Sequence, residues 1–479
     1  MAVIPRTGKR QVDESGCGPV LYFHGCPTRD PTIMRHQYFA AVISSVFALA
    51  SPADAQAHSV QAPAGAAPDS SVHLDITLDH PDWRYHPGDS ARFHVTLSRG
   101  GRPVSGAKVQ LALGADRMPP MRRDSAGVPA SGLTVSGTIH EPGFVRLIAS
   151  VVLGGVRYEA RGTAAFDPEQ IVASTPMPDG FMEFWRAAIA HAREMPLDVR
   201  MTRLASRSTP EVDVYHISFQ NDRAGSRIYG MLSVPTKPGK YPAILTVPGA
   251  GVRPYFPRVE LARKGVIHLA IGIHGIPVDR DSLLYNELRA TALKDYWAYR
   301  LEDRDNYYYK RVYVGVVRAG DFIFSLPKFD RSHYAVEGGS QGGALSLVAG
   351  VLDPRVKAIA VSHPAMSDQF AWLHGHTSGW PFMLSDTAHL VAKKEKMETI
   401  PFYDAVNFAR LLTIPSLFTW GFNDTTVPPT ASYAVYNSVT APKELDIAKE
   451  AGHARTPEQK ERVDRWLLDR LGARASTLR

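Results

Sequence analysis

The 479-residue chain is 44% hydrophobic and 21% charged, the balance of a globular protein large enough for more than one core, which excludes a disordered or fibrous chain. Its formal net charge of +7 comes without a block of like charges, so the basic excess reads as a mixed surface and names neither nucleic acid nor a membrane as partner. The only two cysteines, Cys17 and Cys26, lie near the N-terminus, ahead of everything that reads as folded.

In chain order, the first signal is Met34-Arg35-His36-Gln37, followed by an apolar run from Tyr38 to Ala50 and an A-x-A pattern at Ala55-Gln56-Ala57. Residues 34–57 therefore read as a secretory signal peptide, and a secreted or periplasmic protein is expected. The apolar run is too short to span a membrane, and no cysteine follows it for lipid attachment. Residues 1–33 then precede the leader without a structural role, which points to Met34 as the translation start and to the preceding segment as a gene-model artefact. A mature chain beginning after Ala57 holds no cysteine, hence no disulfide and no thiolate metal site.

Residues 58–70, rich in Ala and Pro, read as a linker. Over residues 71–167 the apolar period is two: Val72, Leu74, Ile76 and Leu78 alternate with polar residues, as do Ala91, Phe93, Val95 and Leu97. Turn signals at His86-Pro87-Gly88-Asp89, Arg99-Gly100-Gly101-Arg102 and Glu141-Pro142-Gly143 recur at the spacing of a β-sandwich of about 100 residues. Exposed aromatic pairs suited to sugar stacking are not visible in it, which favours a spacer or packing module over a carbohydrate-binding one.

Residues 174–479 change character. A capped amphipathic helix is expected from Asp179 to Met195, with Phe181, Phe184, Trp185, Ala188 and Ile189 on one face. Strands are expected at Val212–Phe219, Arg227–Val234, Ala243–Val247, Val266–Ile271, His333–Val336, Ala358–Ser362, Ser416–Trp420 and Leu445–Ala448. Alternation of strands and helices implies a mostly parallel sheet covered on both faces, an α/β fold preceded by the small all-β sandwich.

Within that pattern, Gly338-Gly339-Ser340-Gln341-Gly342 has the G-x-S-x-G form at a strand-to-helix change, where small neighbours let the two elements close on a strained serine. Ser340 is the candidate nucleophile. A serine hydroxyl needs a base and a group to orient that base, which α/β-hydrolases supply in the order Ser, Asp or Glu, His. Asp424 follows the buried strand Ser416–Trp420 in a sharp turn at the carboxyl-terminal sheet edge, where ligands of open α/β sheets gather; an Asx-type turn residue is the alternative. His453 follows the last strand on a loop that runs into a helix opened by the capping-box pattern Thr456-Pro457-Glu458-Gln459. An oxyanion hole is expected from the backbone N–H of Gln341 and that of Ala250, in the small-residue loop Pro248-Gly249-Ala250-Gly251.

Two irregular segments are placed to roof such a site: Pro277 to Tyr309, with Tyr285, Tyr296, Trp297 and Tyr299, and Asp368 to Pro401, with Trp372, Trp380 and Phe382. Packing is the expected role of these aromatics, with sugar stacking as the alternative. His374-Gly375-His376 lacks a third ligand at recognisable spacing, so no metal and no cofactor is expected, and His363 reads as a pocket-wall or packing residue.

Several spaced motifs together carry a resemblance: Tyr307-Tyr308-Tyr309-Lys310-Arg311-Val312, the run Gly338 to Gly343, Tyr403-Asp404-Ala405-Val406-Asn407-Phe408-Ala409-Arg410, Asp424 with Pro428-Pro429, and Tyr436-Asn437 with Pro442-Lys443-Glu444. From about Ser174 onward the chain resembles the acetyl xylan esterase and cephalosporin C deacetylase family, carbohydrate esterase family seven. The resemblance implies an α/β-hydrolase that removes acetyl groups from small esters and acetylated sugars, with Ser340, Asp424 and His453 as its triad. Ala250 stands where that family has an oxyanion-loop tyrosine, and Ala454 where it has a glutamate after the histidine. The expected partner is a small-molecule or oligosaccharide ester, with no nucleic acid and no membrane span; a homo-oligomer is among the states left open. The alternatives are a general short-chain carboxylesterase, a serine peptidase of prolyl-oligopeptidase type, and a non-catalytic carbohydrate-binding protein. Against the peptidase, about 100 residues of sandwich cannot supply the large propeller such enzymes carry.

Overall fold

The computed structural model describes residues 69–385 and 393–473. The expected leader and its preceding segment lie outside the described residues.

Residues Val72–Phe166 form two facing sheets, one of four strands built around Ala91–Arg99 and one of five built around the long hairpin Gly143–Leu153 and Val156–Phe166. The period-two pattern is the cause. Val72, Leu74 and Ile76 of the first strand face inward and pair in antiparallel register with Arg99, Leu97 and Val95, so one face of the ribbon is apolar and packs on the other sheet.

The amphipathic helix that follows spans Phe181–Arg193 and buries Phe181, Trp185, Ile189 and Ala192. Asp179 does not cap it. Gly180 occupies the N-cap with φ 70°, a left-handed conformation that suits glycine, and no side chain caps the helix there.

Nine strands form the second domain's sheet: Arg200–Arg203, Val212–Gln220, Arg227–Pro235, Tyr241–Val247, Ile267–Gly272, Phe329–Gly339, Ala358–Ser362, Ser416–Trp420 and Lys443–Ile447. Their spatial order follows the chain except that Tyr241–Val247 and Ile267–Gly272 exchange places. From Ile267–Gly272 to the last strand every pair is parallel, whereas the first three pairs are antiparallel. The antiparallel edge arises because Val212–Gln220 and Arg227–Pro235 are joined by a short turn with no room for a crossover helix. Its outermost strand, Arg200–Arg203, is exposed along its whole length, which leaves no apolar signal for sequence to display. The architecture is that of an α/β-hydrolase, with helices such as Tyr308–Ser325, Gln341–Leu352 and Pro457–Arg470 on the sheet.

The sandwich and the hydrolase share packing. Trp83, Phe144 and Ala165 of the sandwich belong to the hydrolase core, where Phe144 meets Phe422 edge-on at 5.4 Å. Among the described residues no helix is long and apolar enough to cross a membrane.

Candidate active site

The serine elbow is a steric construction. Ser340 sits between the strand Phe329–Gly339 and the helix Gln341–Leu352 with φ 59° and ψ −125°, a conformation that L-residues hold only under constraint. Constraint comes from close backbone approach. A Cβ on Gly338 would run into the backbone of Gly342, and one on Gly342 would run into Val247 O and the backbone of Pro248. Ser340 N–H donates to Ser362 O at 3.0 Å, and Ser340 O accepts from Gly343 and Ala344, which fixes the turn from both sides.

Three strand ends then meet. His453 Nε2 lies 3.0 Å from Ser340 Oγ and His453 Nδ1 lies 2.7 Å from Asp424 Oδ2. The His453 side chain is 16% exposed and that of Asp424 0%, so the carboxylate is sealed while the imidazole reaches the surface of the cleft. Asp424 also makes the Asx-type turn: its Oδ1 accepts from Thr426 N at 2.8 Å and Val427 N at 2.9 Å, leaving Oδ2 for the histidine. The two readings of Asp424 are one geometry.

Ser340 and His453 line a cleft of about 390 Å³ together with Gly249, Ala250, Arg253, Gly339, His363, Trp380 and Thr426. The Gln341 N–H is at the first helical position, which has no intrahelical acceptor. Ala250 borders the cleft from the loop after Tyr241–Val247, and Arg253 holds that loop by donating to Ala250 O at 2.9 Å. The side chain of Gln341 is buried and points to a different task. Its Oε1 accepts from Tyr296 Oη at 2.7 Å and Tyr309 Oη at 2.6 Å, its Nε2 donates to Pro248 O at 3.1 Å, and Tyr296 Oη accepts from Gly251 N–H at 3.3 Å. One side chain therefore ties the elbow helix, the small-residue loop and the aromatic segment above it.

The roof residues divide. Tyr285 and Tyr296 are buried, Trp297 meets Trp380 edge-on at 5.2 Å, and Trp380 faces the cleft. His363 lies on the cleft wall with its ring 4.4 Å from that of His453; burial, then His453 and Arg455, push its pKa well below the usual histidine range, so it packs as a neutral ring. Among the described residues one group of three metal-type ligands is found, His363, Asp424 and His453, with ligand atoms within 4.8 Å of one another. Both nitrogens of His453 are already engaged with Asp424 and Ser340, so coordination there would have to displace those bonds. His374 and His376 are not part of such a group.

Sequence reasoning missed the polar residues beneath the site. Glu337, 2% exposed on the strand leading to the elbow, accepts from Arg258 at 2.8 Å, Arg455 at 2.9 Å and Thr246 at 3.0 Å, and Arg455 also donates to Ser362 Oγ. Arg146, 3% exposed, reaches under the Asp424 loop from the sandwich. The available signal was a lone charge inside an apolar strand: Glu337 in YAVEGG and Arg146 in FVRLIASVVL.

Residues 169–470 match the acetyl xylan esterase (AXE1) family model. The chain belongs to the acetyl xylan esterase family. It is 37% identical over 403 residues to the acetyl esterase Axe7A of Xylanibacter ruminicola, covering 82% of this chain and 90% of that protein. Two solved structures share the fold: an acetyl xylan esterase from Paenibacillus sp. R4 (24% identity, TM-score 0.55) and acetyl xylan esterase 1 from Thermoanaerobacterium sp. JW/SL YS485 (21% identity, TM-score 0.53). Each is matched by 63% of this chain, which covers 98% and 97% of the solved chain respectively. Membership of the acetyl xylan esterase family makes the protein a carboxylic ester hydrolase.

Proposed function

We propose that the protein is a secreted serine esterase that removes acetyl and other short acyl groups from acetylated sugars, xylan fragments or small esters. The observation that carries this reading is the continuous chain Ser340 Oγ, His453, Asp424, with separations of 3.0 and 2.7 Å, at the mouth of a cleft bounded by glycines. The likeness to Axe7A supports the acetyl preference, and the A-x-A leader pattern supports export.

In the proposed mechanism His453 Nε2 takes the Ser340 proton as the oxygen attacks the ester carbonyl, and Asp424 holds the ring by Nδ1–H and balances the imidazolium that forms. The Gln341 and Ala250 N–H groups receive the developing oxyanion. Collapse expels the sugar hydroxyl with the proton from His453 and leaves an acetyl-Ser340 ester; water, activated by the same nitrogen, then releases acetate. The cleft of about 390 Å³, walled by Trp380 and His363, favours a short acyl group over a long one.

The test is hydrolysis of p-nitrophenyl acetate, butyrate and octanoate by the wild type and Ser340→Ala. Expected are a preference for acetate and a loss on the order of 10⁴-fold in kcat in the variant, with folding intact. Near-normal acetate turnover by Ser340→Ala would remove the serine from the mechanism. Faster cleavage of proline-containing amides than of acetate, lost in the same variant, would make the enzyme a peptidase. Export is tested separately: protein secreted by a bacterial host should begin near His58 and contain neither Cys17 nor Cys26.

A further inference from the structure

Asp424 stands on a loop whose backbone is held from the other domain. Arg146, on the sandwich strand Gly143–Leu153, donates through Nη2 to Phe422 O and to Asp424 O, both at 2.8 Å. Its Nε donates to Thr163 Oγ1 at 2.8 Å, and that hydroxyl in turn donates to Asn423 Oδ1 at 2.8 Å. Asn423 Nδ2 donates back to the sandwich at Arg161 O, 3.1 Å away. Three successive residues, 422 to 424, are thus gripped by one hairpin of the sandwich.

The grip continues past the acid. Arg117 Nε donates to Thr425 O at 3.0 Å, and the buried Asp116 carboxylate accepts from Thr430 Oγ1 at 2.7 Å and Thr430 N at 3.2 Å. From its own domain the loop takes fewer anchors: Asn423 N–H to Ala451 O at 3.1 Å, Asn423 Nδ2 to Glu450 O at 3.3 Å, Trp380 N–H to Thr426 O at 3.3 Å, and Asp424 Oδ2 to His453 at 2.7 Å. A spacer would need only the apolar contacts that Trp83 and Phe144 already supply. Burying a guanidinium costs free energy that an apolar side chain of the same volume avoids, so its presence calls for a task that hydrogen bonds perform. That task is orientation, since two carbonyls fixed by one Nη2 prevent the Asp424 peptide from turning and so set the direction of Oδ2 toward His453.

We propose that the sandwich is part of the catalytic apparatus, and that Arg146 is a positioning residue acting through Asp424 and His453 on the Ser340 proton. The proposal rests on the triad reading above. Displacement of a reacting group by about 1 Å can lower a rate by about 10²-fold, so a loosened acid loop registers in kcat rather than in substrate binding.

The experiment is a double-mutant cycle on p-nitrophenyl acetate with Arg146→Met, Asp424→Asn and the pair, read against the Ser340→Ala baseline, with circular dichroism and urea midpoints confirming folded protein. Arg146→Met is expected to lower kcat by about 10- to 100-fold with KM within about 2-fold, and the double variant to be no slower than Asp424→Asn alone. Where Arg146→Met does not fold, Thr163→Val takes its place in the cycle, with an expected loss of about 3- to 10-fold. Unchanged kcat in the first-domain variant, or a double variant slowed by the full product of the single effects, would overturn the proposal while leaving the triad intact. Wild-type kcat in Asp424→Asn would instead overturn the triad reading, and this proposal with it.

Discussion

Replacing Glu337 by Gln tests whether the buried charge cluster beneath the elbow holds the site together. The substitution keeps the shape of the side chain and removes one charge from a group that faces Arg258, Arg455 and Thr246. Burial alone would raise the Glu337 pKa, but Arg455 and Arg258 outweigh it and bring the group down to about 2 from an ordinary 4.5. At about 1.4 kcal/mol per pH unit that depression corresponds to about 3 kcal/mol of stability, consistent with the 3–5 kcal/mol typical of breaking a buried pair. The sign follows from the direction: a carboxylate with a depressed folded-state pKa contributes its full stability above the unfolded value and loses it as pH falls through the folded one. The urea-unfolding gap between wild type and Glu337→Gln should therefore be about 3 kcal/mol at pH 7 and shrink between about pH 4.5 and 2, being near half at about pH 3. Because Arg455 follows the His453 loop and also donates to Ser362 Oγ, kcat should fall with the same substitution. A gap under about 0.5 kcal/mol at pH 7, or one that is flat from pH 7 to 3, would refute the reasoning.

Three further outcomes are expected. Gly342→Ala places a methyl group against Val247 O and Pro248, so the elbow must open, and an unfolding free energy lowered by about 1–3 kcal/mol in urea titration, with loss of esterase activity, should follow. Tyr296→Phe removes the hydroxyl between Gln341 Oε1 and Gly251 N–H; kcat should drop about 10-fold with KM little changed, as stopped-flow or steady-state rates on p-nitrophenyl acetate will read. The pKa values of His268 and His274 are both lowered to about 4, first by burial and then, for His268, by Arg258, so each stays neutral in the folded state while the unfolded chain protonates near 6.5. Stability should accordingly fall as pH drops from about 6.5 to 4, and His268→Gln should flatten that part of the urea-midpoint profile.

What sequence could reveal follows the physics of each signal. The parallel strands Ala358–Ser362 and Ser416–Trp420 are buried on both faces, as is the second half of Phe329–Gly339, so they stand out as apolar runs between turn residues. The edge strand Arg200–Arg203 buries nothing and carries no such pattern. Ser340, Asp424 and His453 were readable because an elbow of small residues and two strand ends mark positions where a backbone must turn sharply, and the structure brings these three side chains within hydrogen-bond reach of one another. Gln341 was readable for its backbone only; its side chain works through Tyr296 and Tyr309, distant in sequence, and no local spacing announces a contact made by a folded roof.

The same distinction explains the sandwich. Read alone, its alternating strands account for their own core and leave over the buried polar residues on the opposite face of the central hairpin. Arg146 and Thr163 are two of these, buried in a hairpin whose neighbours are apolar, and their partners Asn423 and Asp424 lie far along the chain. A buried charge must be matched by hydrogen bonds somewhere, so a lone arginine in FVRLIASVVL already requires a polar surface facing it. The strand pattern cannot say which surface. Only the folded chain supplies the answer, a row of loop carbonyls behind the candidate acid, and that turns an apparent defect in a β-sandwich into an account of why the two domains are joined.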